Sequence, residues 1–123
     1  MAIKSQRPFA IAPSAARTAT TNFADQVNSW ARGVRVTIDA TAAAATPSVV
    51  FTIQGKTQQG DYYTLLASAA VTGTGNTELV VHPSVAAVAN AAAKNALGYQ
   101  WRVIATAGDA DSLTYSIYAE YLS

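Results

Sequence analysis

The sequence predicts an all-β fold, an antiparallel β-sandwich of jelly-roll-like or Greek-key type with an extended N-terminal arm. Short runs in which apolar and polar residues alternate are typical of strands with one face in a core. Turn residues separate about seven such runs, and one Ala-rich stretch predicts a short helix or crossover. Half of the 123 residues are apolar, which suffices for one core. We expect an arm at 1–17 and a β-sandwich domain at 18–123.

The arm is predicted from its prolines. Pro8 and Pro13 exclude a helix and favour extended backbone on either side of them. Phe9 and Ile11 are apolar residues in a segment without an evident fold of its own. They either pack on their own domain or dock on a neighbouring subunit, and we favour docking.

The first strands lie between the arm and residue 47. Residues 17–27 predict a strand at a sheet edge, and 28–33 a connection that carries Trp30. Residues 33–41 alternate most clearly, with Val34, Val36 and Ile38 directed inward. Together with Phe9 and Ile11, Arg7 and Trp30 are our candidate residues for an interface with another subunit.

A β-hairpin at 48–72 is the centre of the predicted fold, and its polar loop at 55–61 is too long for a two-residue turn. The residues expected to share the inner face are Val49, Phe51 and Ile53 on the first strand, and Tyr63, Leu65, Ala67, Ala69 and Val71 on the second. A two-stranded hairpin is marginally stable alone, so it needs further strands and a second layer.

Three more elements complete the sequence. A glycine-rich turn leads into a strand at 77–82, and Ser84 and Gly98 fit the two caps of a helix at 85–96, which alternatively is an Ala-rich crossover. Strands at 99–107 and 112–121 follow, separated by a tight turn at 108–111. Tyr99, Trp101, Val103 and Ala105 are expected on the inner face of the first of these strands.

The small fraction of charged residues indicates what kind of partner the surface meets. Charged residues make up 12% of the sequence, against about a quarter in ordinary soluble domains. A neutral surface loses little solvation energy on contact, so we expect much of the exterior to touch other subunits. The alternative is a monomer with an unusually neutral surface. The net charge of +1 suggests neither nucleic acid nor an anionic membrane as a partner.

No constellation of residues indicates catalysis, a metal or a cofactor, and we expect no enzyme. The chain has no cysteine and a single histidine, His82, for which a hydrogen-bonded structural role is expected. Asp109 and Asp111 lack the remaining ligands of a calcium loop and predict a turn held by Asx hydrogen bonds. Asp39 and Glu120 are isolated carboxylates on outward faces.

The aromatic residues leave one alternative function open. Tyrosines and tryptophans at 62–63, 99–101 and 115–121 are compatible with a platform that binds sugars, although packing in the core and at its rim is the more common use.

Most of the chain after the arm resembles a family of small structural proteins encoded among the virion genes of tailed bacteriophages. The resemblance is carried by TPS at 46–48, FTIQGK at 51–56, YYTLLASAA at 62–70, WRV at 101–103 and DADS at 109–112. These are strand and turn residues, so they indicate a fold more than a role. The loop at 55–61 and the segment at 84–97 depart from the family pattern.

The resemblance implies a virion protein, a capsid decoration (cement) protein that stabilises the head from outside. Its implied partners are the major capsid protein and other copies of itself, with a trimer favoured and a dimer next. Phe9, Ile11, Arg7 and Trp30 are then the candidate residues for a capsid or subunit interface. Its implied location is the capsid exterior, after synthesis in the cytoplasm of the bacterial host. The alternative is a tail or head-fibre module that recognises a glycan on the host surface.

Overall fold

A computed structural model describes residues 7–123, and these residues form ten strands and no helix. The strands are β1 (Phe9–Arg17), β2 (Thr21–Asn22), β3 (Gln26–Val27), β4 (Gly33–Ala43), β5 (Val49–Lys56), β6 (Tyr62–Ala67), β7 (Gly75–Val81), β8 (Ala92–Ala93), β9 (Gln100–Ala107) and β10 (Leu113–Leu122). The all-β prediction is confirmed for this part of the chain.

The strands form two sheets. Sheet A has the order β1-β10-β4-β7-β8, and sheet B has the order β2-β9-β5-β6, with β3 also paired to β9. Neighbouring strands are antiparallel except for β7 and β8, which are parallel. The chain therefore crosses repeatedly between sheets, and β10 lies between β1 and β4.

The core lies between the inner faces of the two sheets. Strict alternation places Val34, Val36 and Ile38 inward on β4, as the sequence predicts, and each is fully buried. Phe51 of sheet B meets Tyr115 of sheet A edge to face, with ring centroids 4.9 Å apart. Such contacts fix the distance between the sheets as well as burying apolar area.

Residues 9–17 of the predicted arm form β1, an edge strand paired with β10 of the same chain. Ala12 is buried, and Phe9 and Ile11 pack in part against the core. Two register shifts interrupt the pairing, and Pro13 lies in the second. At this interruption, Arg17 donates hydrogen bonds to the carbonyl oxygens of Pro13 and Tyr115, both at 2.8 Å.

The second strand of the central hairpin has a different inner face from the one the sequence predicts. A register shift follows the pair Ile53–Leu66, so that Gln54 pairs with Thr64. Leu66 is buried as a result, while Tyr63 is 44% exposed. Ser68 is buried too, and its hydroxyl accepts a hydrogen bond from the backbone N–H of Phe51 at 3.0 Å.

The predicted helix at 85–96 is wrong, because this segment forms turns and the short strand β8. Asn90 adopts a left-handed conformation with φ 63°, which a helix excludes. The backbone N–H groups of Val80 and His82 donate instead to the carbonyl oxygens of Ala91 and Ala93. Pairing with the edge of β7 satisfies these backbone groups, whereas a short Ala-rich helix has little intrinsic stability.

Candidate interaction surface

One end of the sandwich carries a cluster of aromatic side chains around Tyr121. We call this surface the aromatic end and define it by Phe9, Trp30 and Tyr121 together with two exposed residues, Val27 and Tyr99. The Val27 carbonyl oxygen accepts a hydrogen bond from the Tyr121 hydroxyl. The Tyr99 carbonyl oxygen accepts one from the backbone N–H of Asn28, the residue after Val27. The Tyr121 ring lies 5.2 Å from Phe9 of β1 and 6.2 Å, edge to face, from Trp30. The aromatic end therefore joins β1, β10 and the connection between β3 and β4.

Hydrogen bonds fix Tyr121 in place. Its hydroxyl accepts from Nε1 of Trp101 at 3.1 Å and donates to the carbonyl oxygen of Val27 at 2.7 Å. Burial of this hydroxyl raises the pKa of Tyr121 above its usual 10.0. The neutral phenol thus links the two sheets and forms the floor of the aromatic end.

Asn28 holds the connection that presents Trp30. Its side-chain oxygen accepts from the backbone N–H of Ala31 at 2.8 Å, and its amide nitrogen donates to the carbonyl oxygen of Ala31 at 2.8 Å. The same amide reaches the carbonyl oxygens of Leu97 and Gly98 at 3.3 and 3.2 Å. This buried side chain therefore ties the Trp30 connection to the segment that precedes β9.

The composition of the aromatic end is that of a protein-binding surface. Val27, Trp30 and Tyr99 are 54%, 49% and 67% exposed. The exposed Arg7 precedes Phe9 by two positions, and the exposed Arg32 follows Trp30 by two. Aromatic residues and arginine are enriched where protein interfaces gain most of their binding energy. The end can bury apolar area against a partner while its arginines meet carboxylates.

The structure brings together two of the four candidate interface residues that the sequence predicts. Phe9 and Trp30 both lie against Tyr121, whereas Ile11 packs further along β1 on the core. Arg7 is exposed just before β1 begins. Their role at an interface stays a prediction.

Sequence reasoning found Phe9 and Trp30 but missed other residues that build this surface. Tyr99, expected on the inner face of its strand, lies before β9 and is exposed, because β9 begins at Gln100.

Asn28 lies in the connection predicted at 28–33, and its sequence context indicates no particular role for it. The local bonds of Asn28 to Ala31 are those of an ordinary Asx turn, and its bonds to Leu97 and Gly98 join segments about 70 positions apart, which the sequence does not reveal.

A second cluster of polar side chains lies on the outer face of sheet B. Nζ of Lys56 is 2.8 Å from Oδ2 of Asp25, and the Tyr62 hydroxyl donates to the same carboxylate at 2.8 and 3.0 Å. Hydrogen bonds from Lys56 and then Tyr62 lower the pKa of Asp25, and the bond to Asp25 raises the pKa of Lys56. Arg102 lies over the Tyr62 ring, with Cζ 3.5 Å from its centroid.

The other polar residues singled out in the sequence have structural roles. His82 is fully buried, its Nδ1 accepts from the backbone N–H of Ser84 at 3.0 Å, and its Nε2 lies 2.9 Å from the Ser123 carbonyl oxygen. Asp109 accepts from the Asp111 backbone N–H at 3.0 Å, which confirms the Asx turn. Within residues 7–123, no three His, Asp or Glu side chains form a group suited to a metal ion.

Comparison with known proteins finds similarity in fold but no match in sequence. No protein-family model and no curated protein sequence matches this chain. It is similar in structure to the SPBc2 prophage-derived protein YomS, with a TM-score of 0.60 and 10% identity over 100% of this chain and 96% of that one. It is also similar to a chain of infectious bursal disease virus, Gx strain, with a TM-score of 0.53 and 9% identity over 99% of this chain and 33% of that one. The chain thus spans a third of the length of the viral one.

Proposed function

We propose that this chain is a capsid decoration protein of a bacteriophage, one that binds the outer surface of the head and stabilises it by bridging capsid subunits. The observation that carries the proposal is the similarity in fold to a prophage-derived protein over nearly the whole of both chains. The similarity to a chain of infectious bursal disease virus also supports a role in a virus particle.

The strand order supports the same proposal. One sheet contains β1, β10, β4 and β7, and the other contains β2 with β3, β9, β5 and β6. This is the order of a jelly roll, an architecture used in viral capsid and lectin domains. We infer that β8 is an addition to it, which pairs with the edge of β7.

The aromatic end is the surface that we assign to capsid binding. Trp30 and Tyr99 offer apolar area that water covers in the free protein, and Arg7 and Arg32 bring positive charge to their side of a contact. The proposed partners are the major capsid protein and further copies of this chain, as a trimer in the first place and a dimer in the second. The contribution of the protein is binding energy alone, without a catalysed reaction.

The experiment uses phage heads that lack this protein, to which purified protein is added back. Binding is measured by co-sedimentation, and head stability by the temperature at which DNA is released. We expect saturable binding and a higher release temperature. Trp30→Ala should weaken binding at least tenfold, since exposed tryptophans at interfaces typically contribute more than about 1.4 kcal/mol.

Tyr118→Ala is the matched control, because Tyr118 is 47% exposed, similar to Trp30, but lies on the outer face of sheet A. This variant should bind within about threefold of the wild type. Failure of the wild-type protein to bind heads overturns the proposed function. Equal losses in both variants overturn the assignment of the aromatic end, and specific signals on a glycan array support the glycan-binding alternative instead.

A further inference from the structure

We infer that Arg102 forms a carboxylate-binding site on the outer face of sheet B, and that it takes an Asp or Glu side chain of a partner protein. The inference rests on the geometry of this chain and is independent of the proposed function. Arg102 stands on β9, next to Gln54 of β5 in the strand register. It belongs to the Asp25–Lys56–Tyr62 cluster but does not share its ion pair.

The guanidinium of Arg102 is held in one orientation. Its Cζ lies 3.5 Å from the centroid of the Tyr62 ring, and its Nε donates to Oε1 of Gln54 at 2.9 Å. Tyr62 is in turn fixed by its hydrogen bonds to Asp25. Stacking and a directed hydrogen bond together remove most of the rotational freedom that an arginine side chain loses when it binds a ligand.

Among the described residues, Arg102 forms no ion pair, although, after the hydrogen bond from Lys56, its charge also contributes to the lowered pKa of the nearby Asp25. The ion pairs among residues 7–123 join Arg35 to Glu78 and Glu120, and Lys56 to Asp25. Asp25 uses both carboxylate oxygens on Lys56 and Tyr62. The hydrogen bond of Nε to Gln54 therefore leaves the terminal Nη1 and Nη2 groups of Arg102 without an acceptor in this part of the protein.

The unused edge of the guanidinium defines the ligand. Two parallel N–H groups match the two oxygens of a carboxylate, which arginine binds in a bidentate manner. Arg102 covers one face of the Tyr62 ring, and Nζ of Lys56 lies 5.3 Å from the centroid of the same ring. A sugar ring therefore has little aromatic surface there on which to stack. An acidic amino-acid side chain therefore fits this site better than a uronic acid.

Acetate titration of the purified protein, followed by NMR of the arginine Nε–Hε signals, tests the inference without any capsid. Sodium chloride at equal ionic strength corrects for screening. We expect a saturable shift of the Arg102 signal at least threefold larger than that of Arg32, which is exposed. N-acetylglutamate amide should act like acetate, and glucuronate should bind more weakly.

Gln54→Glu is the decisive variant, because it is nearly isosteric and places an internal carboxylate beside Nε of Arg102. It should reduce the acetate response of Arg102 to the level of Arg32, with the backbone spectrum otherwise preserved. Equal shifts at Arg102 and Arg32 in the wild type, an unchanged response in the folded variant, or tighter binding of glucuronate than of N-acetylglutamate amide would each overturn the inference. None of these outcomes bears on binding to phage heads.

Discussion

Trp101 of sheet B donates its indole N–H to the Tyr121 hydroxyl of sheet A at 3.1 Å, across the end of the core. Trp101 is fully buried, so this donor has no access to water. The Tyr121 hydroxyl in turn donates a hydrogen bond to the Val27 carbonyl oxygen at 2.7 Å. One hydroxyl on β10 therefore satisfies a donor on β9 and an acceptor on β3, and it supports the floor of the aromatic end.

Tyr121→Phe should destabilise the protein by about 1–3 kcal/mol, since it leaves a buried donor and an acceptor without partners while it preserves the ring. Urea denaturation followed by tryptophan fluorescence measures the loss. Tyr118→Phe removes an exposed hydroxyl from the same strand and should change the free energy of unfolding by less than about 0.5 kcal/mol. Similar values for both variants would contradict the assigned role of the Tyr121 hydroxyl.

Asp25 should make stability depend on pH in acid. Its pKa in the folded protein lies below the usual 3.8, so the unfolded chain binds this proton at a higher pH than the folded chain does. The contribution of Asp25 is fully present above the unfolded pKa and is lost as the pH falls through the folded pKa.

Urea midpoints between about pH 6 and about pH 2.5 test this dependence. Asp25→Asn should be less stable than the wild type at the upper end, and the difference should shrink toward the lower end. Asp39→Asn, on an exposed position of β4, serves as the control. A difference between wild type and Asp25→Asn that stays constant over this range would count against the ion-pair cluster as its source.

Two glycines should respond differently to alanine. A methyl group on Gly33 would meet the Val81 carbonyl oxygen and lie 2.7 Å from Cδ2 of the buried His82. Neither neighbour can move freely, so Gly33→Ala should cost about 1–3 kcal/mol or more. A methyl group on Gly55 would lie 2.5 Å from Cζ of Tyr63.

Because Tyr63 is 44% exposed, its ring can swing away, and Gly55→Ala should cost less than about 1 kcal/mol. Thermal unfolding of both variants provides the comparison. A larger loss for Gly55→Ala would show that the Tyr63 ring is held more firmly than its exposure indicates.

Ala45→Gly should stabilise the protein by up to about 1 kcal/mol. Ala45 has φ 60°, a left-handed conformation that costs a non-glycine residue about 1–2 kcal/mol. Glycine removes this strain but adds freedom to the unfolded chain, which offsets part of the gain. Ala44→Gly is the control and should be neutral or destabilising. A lower midpoint of unfolding for Ala45→Gly than for Ala44→Gly would refute the prediction.

The strands that the sequence predicts best are those with uninterrupted alternation. On β10, Leu113, Tyr115 and Ile117 follow a period of two and are all buried. The prediction of the inner face of β6 was wrong because a register shift beside Ile53 changes which residues point inward. No residue near Ile53 indicates this shift in the sequence. The prediction of a helix at 85–96 was wrong because caps and spacing stabilise a short helix only weakly. Pairing with the free edge of β7 satisfies more of the backbone hydrogen-bonding groups of this segment.

The candidate surface was predictable only in part, because distant segments build it. Phe9 and Trp30 stand out in the sequence as apolar residues in irregular segments, yet neither reveals Tyr121 as the residue between them. The Tyr121 hydroxyl and the Val27 carbonyl are 94 positions apart in the chain. Pairings of that kind follow from strand order, which sequence alternation does not encode.

The position of β10 between β1 and β4 has a consequence for biosynthesis. Phe9 pairs with Ala119, so sheet A stays incomplete until β10, which follows the nine other described strands in the chain, has emerged from the ribosome. Closing so large a loop is slow, and folds dominated by such distant pairings form in milliseconds to seconds. The nascent chain carries Phe9 and Ile11 uncovered during this interval, which makes translation speed and growth temperature determinants of how much protein is recovered in native form.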